Sequence, residues 1–178
     1  MSVKTVLTYP DERLRRKGKF LEPSEIQDPG MQKLINDLID TMIVDNGIGI
    51  AATQVGEAYQ IFILGGKKKE DAKTFINPRI TSLSQKETYM EEGCLSVPGV
   101  YGMVKRPAKV RMKALDRFGT KVDIKASGLT AKVFQHEVDH LGGILFIDKA
   151  ECITLGDLEA LKKGIVSPAR TQKKDISL

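Results

Sequence analysis

The sequence predicts an α+β fold, and three observations carry that prediction. Two segments repeat apolar residues at helical spacing behind a capping residue. Several short segments alternate apolar and polar residues between turn signals. No strand–helix–strand series of the kind that builds a parallel sheet is present. The expected architecture is antiparallel strands packed around a central helix at residues 128–141, with a further helix near the C-terminus.

The elements follow in order. Residues 28–46 predict a helix: Asp28 caps it, Pro29 suits its first position, and Met31, Leu34, Ile35, Leu38 and Met42 form its buried stripe. Asn46 and Gly47 stop it. Residues 59–64, YQIFIL, predict a buried strand ended by Gly65-Gly66, with Lys67–Lys69 as a solvated loop tip. Strands are expected at 74–78, 85–90, 103–106 and 108–116, the last with Val110, Met112 and Ala114 facing inward. DRFGT turns the chain into KVDIKA. Ser127 is placed to cap the helix over 128–141, which Gly142-Gly143 closes. ILFID (144–148) predicts a strand, and the segment from about Thr154 to Lys163 a short helix. The last stretch, SPARTQKKDISL, is polar and expected to be loose.

The 178 residues suit one domain over 1–178, with a terminal helix and loose tail from about residue 151. No apolar run approaches the ~18 residues that cross a bilayer, and the N-terminus has no secretory h-region. Cys94 and Cys152 are the only cysteines, which argues for reduced thiols in the cytoplasm. The net charge is +5, mildly basic, with no motif for specific DNA contact and no aromatic-basic strand for RNA.

The two histidines of the chain are His136 and His140, in FQHEVDHLGG. On a helix they share one face and can reach one ion, while Glu137 points about a hundred degrees round the axis. Chance places two histidines four apart, with glutamate after the first, on the order of one time in a thousand. Leu129 and Val133 continue the same face, so the pair is buried, and buried imidazoles without a metal would each need other partners. A hydrolytic metal site takes three protein ligands and leaves one position for water. Two candidates stand for the third: Glu159, beyond the second histidine, and Cys94 in MEEGCLSVPG, beside Gly93. Spacing favours Cys94 only modestly.

In GIGIAATQVG (47–56), Gly47, Gly49 and Ala52 satisfy a relaxed dinucleotide fingerprint, but that motif follows a strand, and here it follows a helix. The glycines serve a loop or let a substrate backbone approach, and Gln54 offers an amide donor beside them.

Together, GIGIAATQ, EGCLS and QHEVDH resemble the three motifs of the peptide deformylase family, in order, within a similarity running from VLTYPDERLRR to LFID. Ile50 replaces the usual leucine, and Lys132 stands where the family often has an apolar residue near its substrate pocket. The resemblance implies a hydrolase that removes the N-formyl group from the initiator methionine of nascent peptides. It implies Cys94 as third metal ligand with His136 and His140, and Glu137 as general base and then acid. It implies Gln54 and the Leu95 N–H as oxyanion donors, and Ile48, Leu129 and Val133 as the methionine pocket. Gly49 and Gly93 would pair with substrate backbone. The implied ion is Fe(II) in the cell, which Zn(II), Ni(II) or Co(II) can replace. A ribosome contact through Lys162, Lys163, Arg170, Lys173 and Lys174 is implied as well. A metallopeptidase using Glu159 and a non-enzymatic protein with a structural metal are the competing classes.

Overall fold

The computed structural model describes residues 2–65 and 68–164, so Gly66, Lys67 and the tail SPARTQKKDISL lie outside the described residues. After a 3-10 turn at Glu12–Arg15 come α1 (Pro23–Ile26), α2 (Pro29–Val44) and β1 (Gly49–Ala51). A 3-10 turn at Ala52–Val55 leads to β2 (Ile61–Leu64), β3 (Lys73–Leu83), β4 (Glu87–Cys94) and β5 (Val97–Pro107). Then follow β6 (Lys109–Leu115), β7 (Lys121–Ser127), α3 (Gly128–Leu141), β8 (Ala150–Leu155) and α4 (Leu158–Lys162). The strands form a five-stranded sheet, β1-β2-β3-β6-β7, and a three-stranded sheet, β4-β5-β8. Every strand pairing is antiparallel. This is the predicted α+β class. No helix among the described residues is long and apolar enough to cross a membrane.

The predicted stripe of α2 is its buried face, which packs Leu34, Ile35, Leu38 and Met42 against Ile50, Ile61, Ile63 and Ile76. Asp28 caps α2 as expected, accepting from the Gly30 N–H at 2.8 Å and the Met31 N–H at 3.3 Å. Lys69, exposed as expected of the loop tip, pairs with the buried carboxylate of Asp40.

α3 lies between the sheets. One face packs Ala131, Phe134 and Leu141 on Phe62, Phe75, Val110 and Met112 of the larger sheet. Three rings hold that contact, with centroids 4.8 Å (Phe62–Phe75), 5.2 Å (Phe75–Phe134) and 5.9 Å (Phe62–Phe134) apart. The other face meets the smaller sheet through polar groups. Gln135 Nε2 donates to the Pro107 carbonyl, and the Lys132 ammonium donates to the carbonyls of Thr88 and Arg106. Lys132, 3% exposed, thus ties α3 to β4 and β5 instead of forming a pocket rim.

Three local expectations are corrected. Ser127 occupies the N-cap position but makes no side-chain capping bond, because β7 runs straight into α3 through the left-handed φ of +58° at Gly128. ILFID is not a strand. Phe146–Asp148 form a 3-10 turn, closed by the Asp148 carboxylate accepting from the Leu145 N–H at 2.8 Å and pairing with Arg15. Its apolar residues, Leu145 and Phe146, fill a third core cluster with Leu7, Leu14, Val97 and Leu161, so a buried apolar run mimics a strand. Residues from Thr154 do not start a helix. They finish β8, which pairs Leu155 with Tyr101 and Cys152 with Met103, and α4 begins only after Asp157 caps it.

The ring trio sets the height of α3 above the sheet. Phe134→Ala is expected to lower the unfolding free energy by about 3–5 kcal/mol. Urea unfolding followed by far-UV circular dichroism measures it, and a loss below about 1 kcal/mol would show that the rings do not anchor the helix.

Candidate metal centre

The polar face of α3 carries His136 and His140 one turn apart, their rings at 77° with centroids 4.8 Å apart. Their Nε2 atoms are 3.1 Å apart. Cys94 arrives from the end of β4, where a register shift between Gly93 and Cys94 re-aims the chain. Its Sγ lies 3.1 Å from His140 Nε2, and the ligand atoms of Cys94, His136 and His140 all lie within 4.8 Å of one another. In a tetrahedral zinc site, bond lengths near 2.0–2.3 Å separate neighbouring donors by roughly 3.3–3.6 Å. Two donor pairs stand 3.1 Å apart and all three donors lie within 4.8 Å, close enough for the set to fit one divalent ion. Glu159 does not approach it. That residue is exposed in the first turn of α4 and pairs with Lys162 at 2.6 Å.

Gln54 stands in the 3-10 turn after β1. Its Oε1 accepts from the Ala51 N–H at 2.8 Å, which aims Nε2 at Ser96 Oγ (3.1 Å) and Cys94 Sγ (3.4 Å). Leu95 follows the thiol and packs on the α2 core. Glu137 is 3% exposed, and its Oε2 is buried without a hydrogen-bond partner. An unpaired buried carboxylate oxygen is costly and marks a site built for a ligand or a proton. Burial raises the carboxyl to about 7, against a lowering by charged His136 and with a further push from Glu92. Gly49 makes room for it: a Cβ there would stand 2.5 Å from Glu137 Oε1. A Cβ at Gly93 would meet the Tyr101 ring at 2.6 Å. Ile48, 44% exposed, precedes Gly49, while Leu129 and the buried Val133 precede His136 on α3.

Behind the donors lies a network that sequence reasoning missed. His136 Nδ1 is 2.9 Å from Glu92 Oε2. Glu92 accepts from Arg106 Nε (2.6 Å) and Nη2 (2.9 Å), and Arg106 Nη1 donates to Asp139 at 2.6 Å. Lys149 closes the chain on Asp139 at 2.7 Å. Burial pushes the Glu92 carboxyl up, but hydrogen bonds from Arg106 and His136 and their charges outweigh it and hold it at about 2. One signal could have found Glu92. It lies two residues before Cys94 on a strand, and a ligating imidazole needs a partner for its other nitrogen.

A cysteine sulfur and two imidazoles beside a buried carboxyl group with one unpartnered oxygen are the equipment of a mononuclear metal-dependent hydrolase. Comparison with known proteins makes the assignment specific. The family model described as "Polypeptide deformylase" matches residues 3–154. Peptide deformylases of Azotobacter vinelandii and Pseudomonas aeruginosa are each 44% identical over 149 residues, covering 83% of this chain and 87% of theirs. A crystal structure of a peptide deformylase from Legionella pneumophila superposes with a TM-score of 0.80 at 42% identity, covering 84% of this chain and 87% of that one. A Met-Ala-Ser-bound class I type b peptide deformylase from Acinetobacter baumannii superposes with a TM-score of 0.78 at 33% identity, covering 84% and 99%. This chain belongs to the polypeptide deformylase family.

Glu92, 2.9 Å from His136 Nδ1, holds the ring in place and would enrich Nε2 as a donor to a bound ion. Glu92→Gln is therefore expected to weaken Zn(II) binding by about 10–100-fold. Titration against a chromophoric chelator reads this. Unchanged affinity would show that Glu92 serves only the ion pair with Arg106.

Proposed function

We propose that this chain hydrolyses the N-formyl group of formylmethionine at the start of newly synthesised polypeptides, releasing formate, with one divalent ion held by Cys94, His136 and His140. The observation that carries the reading is the convergence of those three donors beside Glu137, whose buried Oε2 has no hydrogen-bond partner. When bound, the ion would supply Lewis acidity and bring the pKa of water from 15.7 toward ~7.

The rest of the reaction falls to the chain. Glu137 takes the proton of the attacking water and later delivers it to the leaving amine. A carboxyl near 7 is suited to both tasks at neutral pH. Gln54 Nε2 and the Leu95 N–H flank the thiol and are proposed as donors to the developing oxyanion, one such donor being worth about 3 kcal/mol of barrier. β1 is an edge strand of the larger sheet, so the Gly49 backbone can pair with an extended peptide on one side, and Gly93 on the other. Ile48, Leu129 and Val133 would take the methionine side chain. The formyl carbon bears only hydrogen, and a closely built site rejects acetyl and larger groups. The Met-Ala-Ser tripeptide of the Acinetobacter baumannii structure supports a short extended peptide as the ligand class. The reaction belongs in the cytoplasm, where nascent chains arise and Cys94 stays reduced. The basic residues Lys162, Lys163, Arg170, Lys173 and Lys174 are proposed to meet the ribosome.

Formyl-Met-Ala-Ser incubated with anaerobically purified protein, with free amine and formate measured, tests the activity; no release under any metal loading would overturn it. Glu137→Gln should keep the bound metal and lose about 10²–10⁴-fold in kcat, whereas Cys94→Ala should lose the metal itself. A Glu137→Gln variant with full turnover would remove the proton shuttle.

The ion proposed for the cell is Fe(II), with Zn(II), Ni(II) or Co(II) able to substitute. A thiolate donates more electron density than imidazole or carboxylate and would leave a zinc ion held by Cys94, His136 and His140 a weaker Lewis acid. Apo-protein reconstituted with Fe(II) should therefore surpass the Zn(II) form in kcat/KM and fade in air as Cys94 or the iron oxidises, while a Ni(II) form persists. Equal iron and zinc activities, or an iron form indifferent to air, would refute the metal assignment.

A further inference from the structure

The outer face of the larger sheet is cationic, and nothing in the reaction uses it. α3 covers one face of β6 and β7 through Val110, Met112, Ala114, Val122 and Ile124. The alternate residues point the other way and are exposed: Lys109, Arg111 and Lys113 on β6, and Lys121, Asp123 and Lys125 on β7. Arg79 on β3 joins them, standing opposite Lys113. Six cations and one acid share the face. The whole chain has 28 cationic and 23 acidic residues. The face's own balance is 6 − 1 = +5, as large as the net charge of the whole chain.

The one acid leaves most of the charge uncompensated. Asp123 takes both guanidinium donors of Arg111, at 2.7 and 2.8 Å. Arg79, Lys109, Lys113, Lys121 and Lys125 have no ion pair among the described residues, although Arg79 stacks on the Phe20 ring. Protection of the β7 edge against self-pairing does not account for the pattern. Lysines guard an edge strand and would serve so at Lys121 and Lys125 on β7, but Lys109, Arg111 and Lys113 on β6 and Arg79 on β3 lie on interior strands. Lys113 faces Asp123 across the ladder, but Arg79 also faces Lys113 and Arg111 faces Lys125, and like charges in register destabilise a sheet. Such a local cost points to a bound anion that repays it. The cations repeat about every 6.8 Å along a strand and about 4.8 Å between strands, a grid suited to many phosphates and not to one small ion.

We propose that this face binds the phosphate backbone of RNA. The choice of RNA among polyanions rests on the deformylase reading, because an enzyme for nascent chains works beside RNA. The side chains that the face presents are charged and not aromatic, with Phe20 under Arg79 and Phe118 in the β6–β7 turn at its margins, so binding is independent of sequence and steep in salt.

The test is fluorescence anisotropy of a labelled single-stranded RNA of about twenty nucleotides with the full chain, from about 50 to 200 mM KCl. Five net cations predict a slope of log K against log salt near −3.5, at ~0.7 per phosphate. The quadruple variant Lys109→Gln, Lys113→Gln, Lys121→Gln, Lys125→Gln keeps the Arg111–Asp123 pair. It should bind at least tenfold more weakly near 50 mM salt, with a slope near −0.7. Its unchanged turnover of formyl-Met-Ala-Ser shows that it is folded. A second variant, Arg170→Gln, Lys173→Gln, Lys174→Gln, should still bind. No RNA binding by the native chain, native affinity in the quadruple variant, loss of binding in the tail variant alone, or tighter binding to phosphatidylserine vesicles than to RNA would each overturn the proposal. RNA binding and turnover are measured separately, so failure of one leaves the other standing.

Discussion

Arg106 and Glu92 form an ion pair in which each side chain is at most 4% exposed. The candidate centre is built outward from it. Two charges removed from water are tolerated only when every remaining donor and acceptor is met. Here the outward guanidinium nitrogen goes to Asp139 on α3, and the second Glu92 oxygen goes to His136 on the same helix. The pair spans β4 and β5 and fastens both to α3. It fixes the height of the helix over the smaller sheet, as the phenylalanines fix it over the larger one. Removing either member would leave a charge stranded in the interior, so the network is maintained as a unit.

Two glycines in the surrounding elements serve a different constraint, the close approach of backbone to a functional side chain. Gly49 lets β1 lie against the Glu137 carboxylate, and any side chain there would push the carboxylate or the strand aside. The same contact adds to the burial that raises the Glu137 carboxyl to about 7. Gly93 accepts the Tyr101 ring from β5, directly before the thiol. Space, charge and proton affinity at the site are therefore set by neighbours on four different elements.

The two faces of the larger sheet divide the labour of the molecule. Its inner face provides the apolar bed on which α3 is held. Its outer face over β6 and β7 is exposed and carries cations in excess. Alternation along a strand makes this possible, since a single segment such as KVRMKAL writes both faces at once.

Much of this was readable in the sequence, because the relevant signals are local. Helical and two-residue periodicities gave α2, α3, β6 and β7, and the spacing of His136 and His140 put both imidazoles on one face. β8 was hidden because five of its six residues are exposed and it is held by backbone pairing to β5, which leaves no apolar pattern. ILFID misled because burial, not extension, wrote its apolar run. Spacing alone could not choose between Cys94 and Glu159, since the ligand atoms meet across 46 residues of chain. Nor could it reveal the Glu92–Arg106–Asp139 network, or that Gly49 yields its side chain to Glu137. Periodicity determines which face of a segment is apolar. Only the packing of α3 against two sheets decided which charges had to be buried together.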